Sequence, residues 1–236
     1  MKADHRDIMR RGYMDMGLYT ITEAARLIDI PDARLRRWIV GDPHGAETPL
    51  ITNEIGRIHG LICLSFINLI EALFISRFVA YGVHVRSIRL MAEEAANFLN
   101  TPHPFATDIL FKTDGQRICA EVEEQTGDPR LYDLKRHNWA LEPIWGRELR
   151  GAISYAESGI ARRWYPRPQE AKHVVLNPVA AFGQPVFDDT GIPTTAIYDA
   201  YKAEDKNEKL VAKWFEIPLT RVREAVRFER TLALTA

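Results

Sequence analysis

The chain has few cysteines, no long apolar run and no signal-peptide pattern. It contains 2 cysteines, Cys63 and Cys119, in 236 residues. Because both lie among apolar neighbours, we expect buried thiols of a cytosolic protein and no disulfide bond. The most apolar stretch, 61–75, is interrupted by Asn68 and Glu71 and is too short to cross a bilayer. We therefore expect a soluble, cytoplasmic protein with no membrane partner.

The sequence signatures of enzymes and metal sites are also missing. The 7 histidines are scattered, and no His-x-x-His or Cys-x-x-Cys spacing gathers metal ligands. No glycine-rich phosphate loop follows a strand pattern, and there is no nucleophile-elbow motif. His103, which stands between two prolines, is assigned a structural role. We expect no catalytic residue, no metal and no cofactor, and hence a protein that is not an enzyme.

Neither sign of charge predominates in the chain as a whole. The formal net charge is −1, so no overall positive field attracts nucleic acid, and any DNA-binding surface must be local. Basic residues do cluster at one place near the N-terminus, namely at Arg26, Arg34, Arg36 and Arg37.

Two stretches near opposite ends of the chain are built alike. Residues 25–39 and 212–226 align on Ile30-Pro31 and Ile217-Pro218, which also matches an alanine, an acidic residue and an Arg-x-Arg sequence. Each stretch predicts a short helix, a tight turn and a second helix with apolar residues spaced i, i+3 and i+4. This pattern is typical of helix–turn–helix DNA-binding units, although such helix pairs also occur as simple packing units.

Local patterns predict the elements around the first stretch. A capping box of Thr20 and Glu23 starts a helix that ends near Ile28, and the next helix covers 32–40. A β-hairpin over 50–63 follows, and a hairpin directly after a helix–turn–helix is a wing. Two further helices are predicted at 66–81 and 85–99.

The remaining elements follow from turn signals and periodicity. The Asp114-Gly115 pair predicts a hairpin over 109–122, and Asp205 with Glu208 predicts a capping box. Other predicted elements are a helix at 131–149 broken at Pro143, a hairpin at 153–165, a strand at 173–176, a loop at 177–193, and helices at 194–203, 206–215 and 218–231.

These elements predict an α+β fold, mainly α with small β-hairpins. We divide the chain into a winged helix–turn–helix domain with its following helix pair at 1–100, a middle α+β region at 101–170, and a helical domain at 171–236. The helix at 66–81 carries more apolar side chains than one small domain is expected to bury, which predicts a homodimer. These side chains are Phe66, Ile67, Ile70, Phe74, Ile75 and Phe78.

The first stretch carries the candidate DNA-binding residues. Arg34 and Arg37 project together from the face opposite Leu35 and Trp38, and an arginine fork binds guanine edges or phosphates with two hydrogen bonds. A solvated helix face is the alternative. The complete candidate set comprises helix residues Thr22, Asp32, Ala33, Arg34, Arg36 and Arg37, and wing residues Arg57 and His59.

The second stretch is expected to bind protein. Glu224 aligns with Arg37, and a carboxylate on a groove-facing surface is repelled by phosphate. Leu219 aligns with Asp32 and is expected to be exposed. The candidate partner-binding residues are Leu219, Arg221, Arg223 and Arg227, and surface solvation is the alternative.

Several segments resemble known families. Segments 19–27 and 34–39 resemble the MerR-like winged helix–turn–helix. Segments 64–71 and 81–88 look like the helix pair that follows its wing, as found in a group of VapB-type antitoxins, with Asn68 where an acidic residue is expected. The C-terminal segments 177–187 and 190–195 are similar to a small three-helix domain of unknown function, which occurs in antitoxins encoded beside PIN-type ribonuclease toxins.

The resemblance implies a DNA-binding antitoxin that binds double-stranded operator DNA, represses its own operon and neutralises a PIN-type ribonuclease toxin. One alternative is an effector-responsive transcriptional regulator without a toxin, with a small-molecule pocket lined by Trp139, Trp145, Tyr155 and Trp164. Another alternative is a structural adaptor that binds only protein. A ribonuclease-like reading frame overlapping this gene would favour the antitoxin.

Overall fold

The described part of the chain is a mixed α+β structure. The computed structural model describes residues 16–42, 45, 48–108, 115–136, 149 and 151–234. In these ranges, helices surround two small antiparallel sheets, so the predicted fold class is confirmed. No helix in the described ranges combines the length and apolar character needed to cross a membrane.

The first sheet and the helices around it follow the predicted order. The capping box of Thr20 and Glu23 is present at the start of the first helix. A short strand before this helix pairs with the second strand of the hairpin, so that this second strand lies in the middle of a three-stranded sheet. The elements are β1 (Tyr19–Thr20), α1 (Ile21–Ile28), α2 (Asp32–Val40), β2 (Gly56–Ile58), β3 (Leu61–Leu64), α3 (Phe66–Tyr81) and α4 (Val85–Leu99).

The predicted hairpin at 109–122 is wrong where the structure describes it. Residues Gly115–Thr126 form helix α5, preceded by a 3-10 turn at Pro104–Ala106 and followed by α6 (Pro129–Arg136). Ile118, Cys119 and Val122 lie on one buried face of α5. Packing of this face outweighs the local turn signal. Residues 109–114 and 137–148 lie outside the described residues.

The second sheet has four consecutive antiparallel strands, β4 (Ile153–Tyr155), β5 (Ala161–Trp164), β6 (Val174–Leu176) and β7 (Pro185–Phe187). The hairpin at 153–165 is confirmed, whereas β7 lies within the predicted loop at 177–193. Trp164 of β5 pairs with Leu176 of β6, so the sheet continues across residue 170. The division of the chain into three domains stays a prediction.

Three C-terminal helices follow, α7 (Thr194–Ala203), α8 (Glu208–Trp214) and α9 (Leu219–Leu234). The predicted capping box of Asp205 and Glu208 is wrong. Asn207 is the capping residue, and its side chain accepts a hydrogen bond from the amide of Leu210 at 3.2 Å. Asp205 and Lys206 have φ of 49° and 67°, a left-handed turn that places both residues before the cap.

Most of the buried apolar side chains that the structure describes form one continuous core from Tyr19 to Phe228. Phe66, Phe74 and Phe78 of α3 are buried inside this single chain. The ring of Phe78 lies 5.8 Å from that of Phe105, which belongs to the 3-10 turn. The expected surplus of apolar surface on α3 is therefore not present, because neighbouring elements of the same chain cover that surface, and the homodimer stays a prediction.

The contact between Tyr19 and Gly183 joins the first sheet to the C-terminal part of the chain. The Tyr19 hydroxyl donates to the Gly183 carbonyl at 2.7 Å, and the Leu18 amide donates to the Phe182 carbonyl at 2.8 Å. Burial raises the pKa of Tyr19, so the hydroxyl remains a neutral donor. Gly183 has φ of +85°, and a Cβ there would overlap the Tyr19 hydroxyl and lie 2.9 Å from the Gly17 Cα.

We predict that Gly183→Ala destabilises the protein. The left-handed conformation costs a non-glycine residue about 1–2 kcal/mol, and the overlap with Tyr19 and Gly17 adds about 1–3 kcal/mol. Gly191→Ala is the matched control, because Gly191 also has a positive φ but has no atom within 4 Å of the place where a Cβ would lie. Urea unfolding measures both variants. Equal losses for the two variants would show that the contact with Tyr19 is not tight.

Candidate functional site

The two aligned stretches have the same backbone geometry. Asp29 and Glu216 both adopt the left-handed conformation, with φ of 58° and 54°. The amide of Ile30 donates to the Ala25 carbonyl at 3.0 Å, and the amide of Ile217 donates to the Ala212 carbonyl at 3.1 Å. We call α1 with α2 the first helix pair, and α8 with α9 the second helix pair. The predicted similarity of the two stretches is confirmed.

The first helix pair exposes its basic residues. Leu35, Trp38 and Ile39 are buried, which leaves the opposite face of α2 in contact with solvent. The candidate residues exposed on this face are Asp32, Ala33, Arg34, Arg36 and Arg37. Three arginines within four positions make this face locally positive in a chain whose net charge is −1.

Thr22 and Asp32 bind each other across the first helix pair. The Thr22 hydroxyl donates to the Asp32 carboxylate, and both residues are exposed. Asp32 lies in the first turn of α2, where the helix dipole stabilises a negative charge. A contact of either residue with a ligand would compete with this hydrogen bond.

The hairpin formed by β2 and β3 lies beside the C-terminal end of α2. The amides of Leu50 and Ile51 both donate to the Trp38 carbonyl, at 2.7 and 3.0 Å, so the chain that enters the hairpin is attached to α2. At the tip, His59 is exposed in a left-handed conformation. The Arg57 Nη1 donates to the Gly60 carbonyl at 3.1 Å. Both candidate wing residues therefore lie on this hairpin.

Asn68 connects α3 to the segment that leads into the hairpin. Its Oδ1 accepts from the Ser65 amide at 3.3 Å, while the Ser65 hydroxyl accepts from the Asn68 amide at 3.1 Å, which completes a capping box. The Asn68 Nδ2 donates to the Thr52 carbonyl at 2.8 Å. A carboxylate could complete the capping box but could not donate to Thr52. This explains why an amide suits the position better than the acidic residue that the resemblance led us to expect.

A buried histidine also supports the hairpin. His103 lies between two carboxylates, with its Nδ1 2.8 Å from Glu71 of α3 and its Nε2 2.6 Å from Glu54, which precedes β2. Burial alone would lower the pKa of His103, but both carboxylates oppose it and raise the pKa to about 9. Burial raises the pKa of Glu71, against the effect of His103. No sequence motif joins these three residues, so only the structure reveals their contact.

The second helix pair uses its charged residues differently from what we expected. Glu224 is buried, and its carboxylate accepts from the His173 amide at 2.9 Å. The expectation that Glu224 lies on an exposed face is wrong, because the start of β6 packs over it. Arg221 pairs with Glu224 at 3.3 Å and with Asp189 at 2.8 Å, so its charge is neutralised within the chain.

The other candidate partner-binding residues lie at or near the surface. Leu219 is half-buried, which corrects the expectation of full exposure. Arg223 and Arg227 are exposed, and the Arg223 Nε lies 2.8 Å from Glu208 of α8. The exposed part of this candidate surface therefore consists mainly of Arg223 and Arg227.

A cavity of about 350 Å³ lies between α1 and the helices α7 and α9. Its lining includes charged side chains of both signs, among them Glu23, Arg26, Asp199 and Lys202. Trp139 and Trp145 of the predicted small-molecule pocket lie outside the described residues, whereas Tyr155 is half-buried and Trp164 is buried.

The two cysteines are free and buried, as predicted, and burial raises the pKa of Cys119 to about 12. The described residues contain no group of His, Cys, Asp and Glu side chains that could hold a metal ion.

Comparison with known proteins relates the chain to an antitoxin. No protein family model matches it. A relative from Mycobacterium tuberculosis with the name "Putative antitoxin VapB45" is 26% identical over 204 residues, which cover 80% of this chain and 84% of the relative. The crystal structure of Rv2018 from Mycobacterium tuberculosis has a TM-score of 0.69 and 25% identity, over 90% of this chain and 98% of that chain. The chain is thus similar to a VapB-type antitoxin along most of its length.

We predict that the contact of His103 with its two carboxylates makes stability fall as pH rises. The pKa of His103 is 6.5 in the unfolded chain and about 9 in the folded protein, so the stabilisation is complete below pH 6.5 and is lost as pH rises to 9. The loss amounts to about 3 kcal/mol at most. The raised pKa of Glu71 acts in the same direction, because protonation favours the folded state.

Urea unfolding of the wild type and of His103→Gln at pH 6, 7.5 and 9 measures this effect. The variant is expected to be less stable at pH 6 but to lose less stability between pH 6 and 9. The test is how steeply the free energy of unfolding falls with pH. Its absolute value is not the test, because glutamine at this position also changes packing. If the free energy of unfolding fell equally with pH in the two proteins, His103 would not be the source of the pH dependence.

Proposed function

We propose that the protein is a DNA-binding antitoxin of a type II toxin–antitoxin module, which represses its own operon and neutralises a PIN-type ribonuclease toxin. The observation that carries the proposal is the exposed arginine face of α2 beside the β2–β3 hairpin. Similarity to a relative named as an antitoxin supports the same function and favours a regulatory protein over an enzyme. We place the protein in the cytoplasm, where its operator and toxin would be found.

In this proposal, the first helix pair and its hairpin act as a MerR-like winged helix–turn–helix. Helix α2 enters the major groove, and Arg34, Arg36 and Arg37 contact guanine edges or phosphates. Arg57 and His59 at the hairpin tip contact phosphates of the flanking backbone. Ala33 is placed near bases by the same geometry. The hydrogen bond between Thr22 and Asp32 keeps α1 and α2 in position.

A homodimer remains part of the proposal, on the basis of operator symmetry. Winged helix–turn–helix proteins of this kind bind two half-sites, and a two-fold symmetric dimer presents two copies of α2 to them. Because the apolar residues of α3 are already buried within one chain, the dimer interface must involve other residues.

The second helix pair is the proposed toxin-binding surface. Arg223 and Arg227 are exposed on α9, and arginines are suited to the carboxylate-rich metal site of a PIN-type ribonuclease. Arg221 instead holds Asp189 and Glu224, and half-buried Leu219 begins the helix. We assign these two residues to shaping the surface on which Arg223 and Arg227 act.

A second candidate function is an effector-responsive transcriptional regulator. The cavity between α1 and the helices α7 and α9 favours it, because a small molecule bound there would contact the first helix pair directly. The charges of both signs in its lining would suit a zwitterionic ligand. A ribonuclease gene adjacent to this one would favour the antitoxin over the regulator.

We predict that Arg34→Ala/Arg37→Ala weakens DNA binding tenfold or more. Each good arginine–base contact contributes about 1–3 kcal/mol, and the loss of two cations also flattens the dependence of affinity on salt. Binding is measured on a duplex that contains the promoter region of the protein's own gene. Lys209→Ala/Lys213→Ala is the charge-matched control, because both lysines are exposed on α8. If the folded arginine variant bound like the control, α2 would not be the DNA-binding helix.

We predict that Arg223→Glu/Arg227→Glu abolishes toxin binding without affecting DNA binding. Charge reversal on α9 repels a carboxylate-rich partner, and both positions are exposed, although Arg223→Glu also places a carboxylate beside Glu208. Co-purification with the protein encoded by the neighbouring gene is the measurement, and Arg162→Glu/Arg163→Glu is the matched control, because both arginines are exposed on β5 and lie outside the second helix pair. A chain shortened to end near Pro168 would also lack the proposed toxin-binding surface. Point variants are the better test, because the shortened chain would lose β6 and β7 from the second sheet. Toxin retained by the α9 variant would place the interface elsewhere.

A further inference from the structure

A cleft lined by arginines lies next to the first helix pair. It has a volume of about 330 Å³ and is formed by the end of α1 with the turn and first residues of α2, by the C-terminal half of α3, and by the end of β5 with the loop that follows it. One arginine comes from each of these three parts, namely Arg34, Arg77 and Arg167. Because these parts are far apart in sequence, no local pattern predicts the cleft.

The three arginines of the cleft are not neutralised by the described part of the chain. Among the residues that the structure describes, none of the three side chains forms an ion pair or a hydrogen bond. The Arg167 Nε is buried and has no hydrogen-bond partner among them. A buried donor without a partner is destabilising, so its presence beside a cavity points to a ligand that accepts a hydrogen bond. Arg221 also has a buried Nε without a hydrogen-bond partner, but its charge is neutralised by two carboxylates.

The other polar groups of the cleft do not change its character. Among the described residues of the lining, Asp29 contributes the one carboxylate, against three guanidinium groups. The Ser76 hydroxyl donates to the Leu73 carbonyl at 2.7 Å and is therefore already engaged. Trp164 and Pro166 form an apolar wall. The net positive charge and the guanidinium donors together fit an anion with several acceptor oxygens.

We propose that this cleft binds a phosphoryl group. Guanidinium groups bind phosphate oxygens with paired, charge-assisted hydrogen bonds, and three converging arginines can surround a tetrahedral anion. Arg34 lies both in the cleft and on the exposed face of α2, so the cleft continues the candidate DNA-binding surface. This continuity favours a backbone phosphate of the bound duplex as the source of the phosphoryl group, an assignment that rests on the proposed function.

A phosphate bound in this cleft would extend the DNA interface beyond the first helix pair and its hairpin. Arg77 belongs to α3 and Arg167 to the loop between β5 and β6, so the duplex would touch α3 and one end of the second sheet. Phosphate contacts of this kind set affinity and orientation without reading sequence. Because Arg167 follows β5 directly, DNA binding would also depend on where β5 lies, and β5 pairs with the C-terminal strand β6.

The double variant Arg77→Ala/Arg167→Ala tests the proposal, because it leaves Arg34 and the α2 face intact. On the promoter duplex, we expect at least tenfold weaker binding, and a slope of log affinity against log salt that is shallower by about 2 units. The preference for the promoter over a random duplex should not change. Arg77→Lys/Arg167→Lys should recover part of the affinity, because it restores the charge but not the paired hydrogen bonds.

Arg162→Ala/Arg163→Ala is the matched control, because both arginines are exposed on β5 but do not line the cleft. The control should bind the duplex like the wild type. Equal weakening in the control and the cleft variant would mean that any loss of positive charge has this effect, and would overturn the proposal. Thermal unfolding of every variant excludes loss of structure as the cause.

Titration of the full-length protein with inorganic phosphate, in the absence of DNA, identifies the source of the phosphoryl group. Phosphate binding that is lost in the cleft variant, with unchanged DNA binding, would keep the phosphoryl site but assign it to a free ligand. If neither phosphate nor DNA distinguishes the variant from the wild type, the proposal is wrong. Failure of the wild type to bind any duplex would refute the proposed function alone, because the phosphate titration would still test the cleft.

Discussion

The contact between Tyr19 and Gly183 is the constraint on which the arrangement of this protein depends. Tyr19 belongs to β1, which pairs with the hairpin strand β3 and leads directly into the capping residue of α1. Its hydroxyl binds the Gly183 carbonyl just before β7 of the second sheet. This contact, together with the hydrogen bond from the Leu18 amide to the Phe182 carbonyl, helps to hold the hairpin and the first helix pair against the C-terminal part. A residue larger than glycine at 183 would meet Tyr19 and Gly17 too closely and would strain this contact.

The two helix pairs show how the same backbone can be used in different ways. Both turn through a left-handed acidic residue and an Ile-Pro sequence, and both bury the apolar stripe of their second helix. Arg34 has no partner in its own chain among the described residues, whereas the equivalent Arg221 is held by Asp189 and Glu224. The difference arises from what packs nearby, because β6 begins beside the second pair. The first pair thus retains basic side chains that can bind an external anion.

Short-range patterns predicted the elements well where local and tertiary preferences agreed. Thr20 caps α1 with Glu23 as expected, and Gly82 ends α3. The prediction failed where they disagreed. Asp114-Gly115 is a strong hairpin signal, yet the apolar residues from Ile118 to Val122 also suit a helix, and burial of that face selected the helix. The helical position of Glu224 predicted exposure, but the amide of His173, the residue just before the distant strand β6, donates to its carboxylate.

The amino-acid sequence by itself determined the two helix pairs, their exposed arginines and the hairpin after the first pair, because these depend on contacts between residues close together in the chain. Only the tertiary structure decided which charges remain available for a partner. It placed His103 between Glu54 and Glu71, neutralised Arg221, and brought Arg77 and Arg167 to the same cleft as Arg34. The physical reason is that charge pairing and burial depend on distances in space, and residues far apart in sequence set those distances.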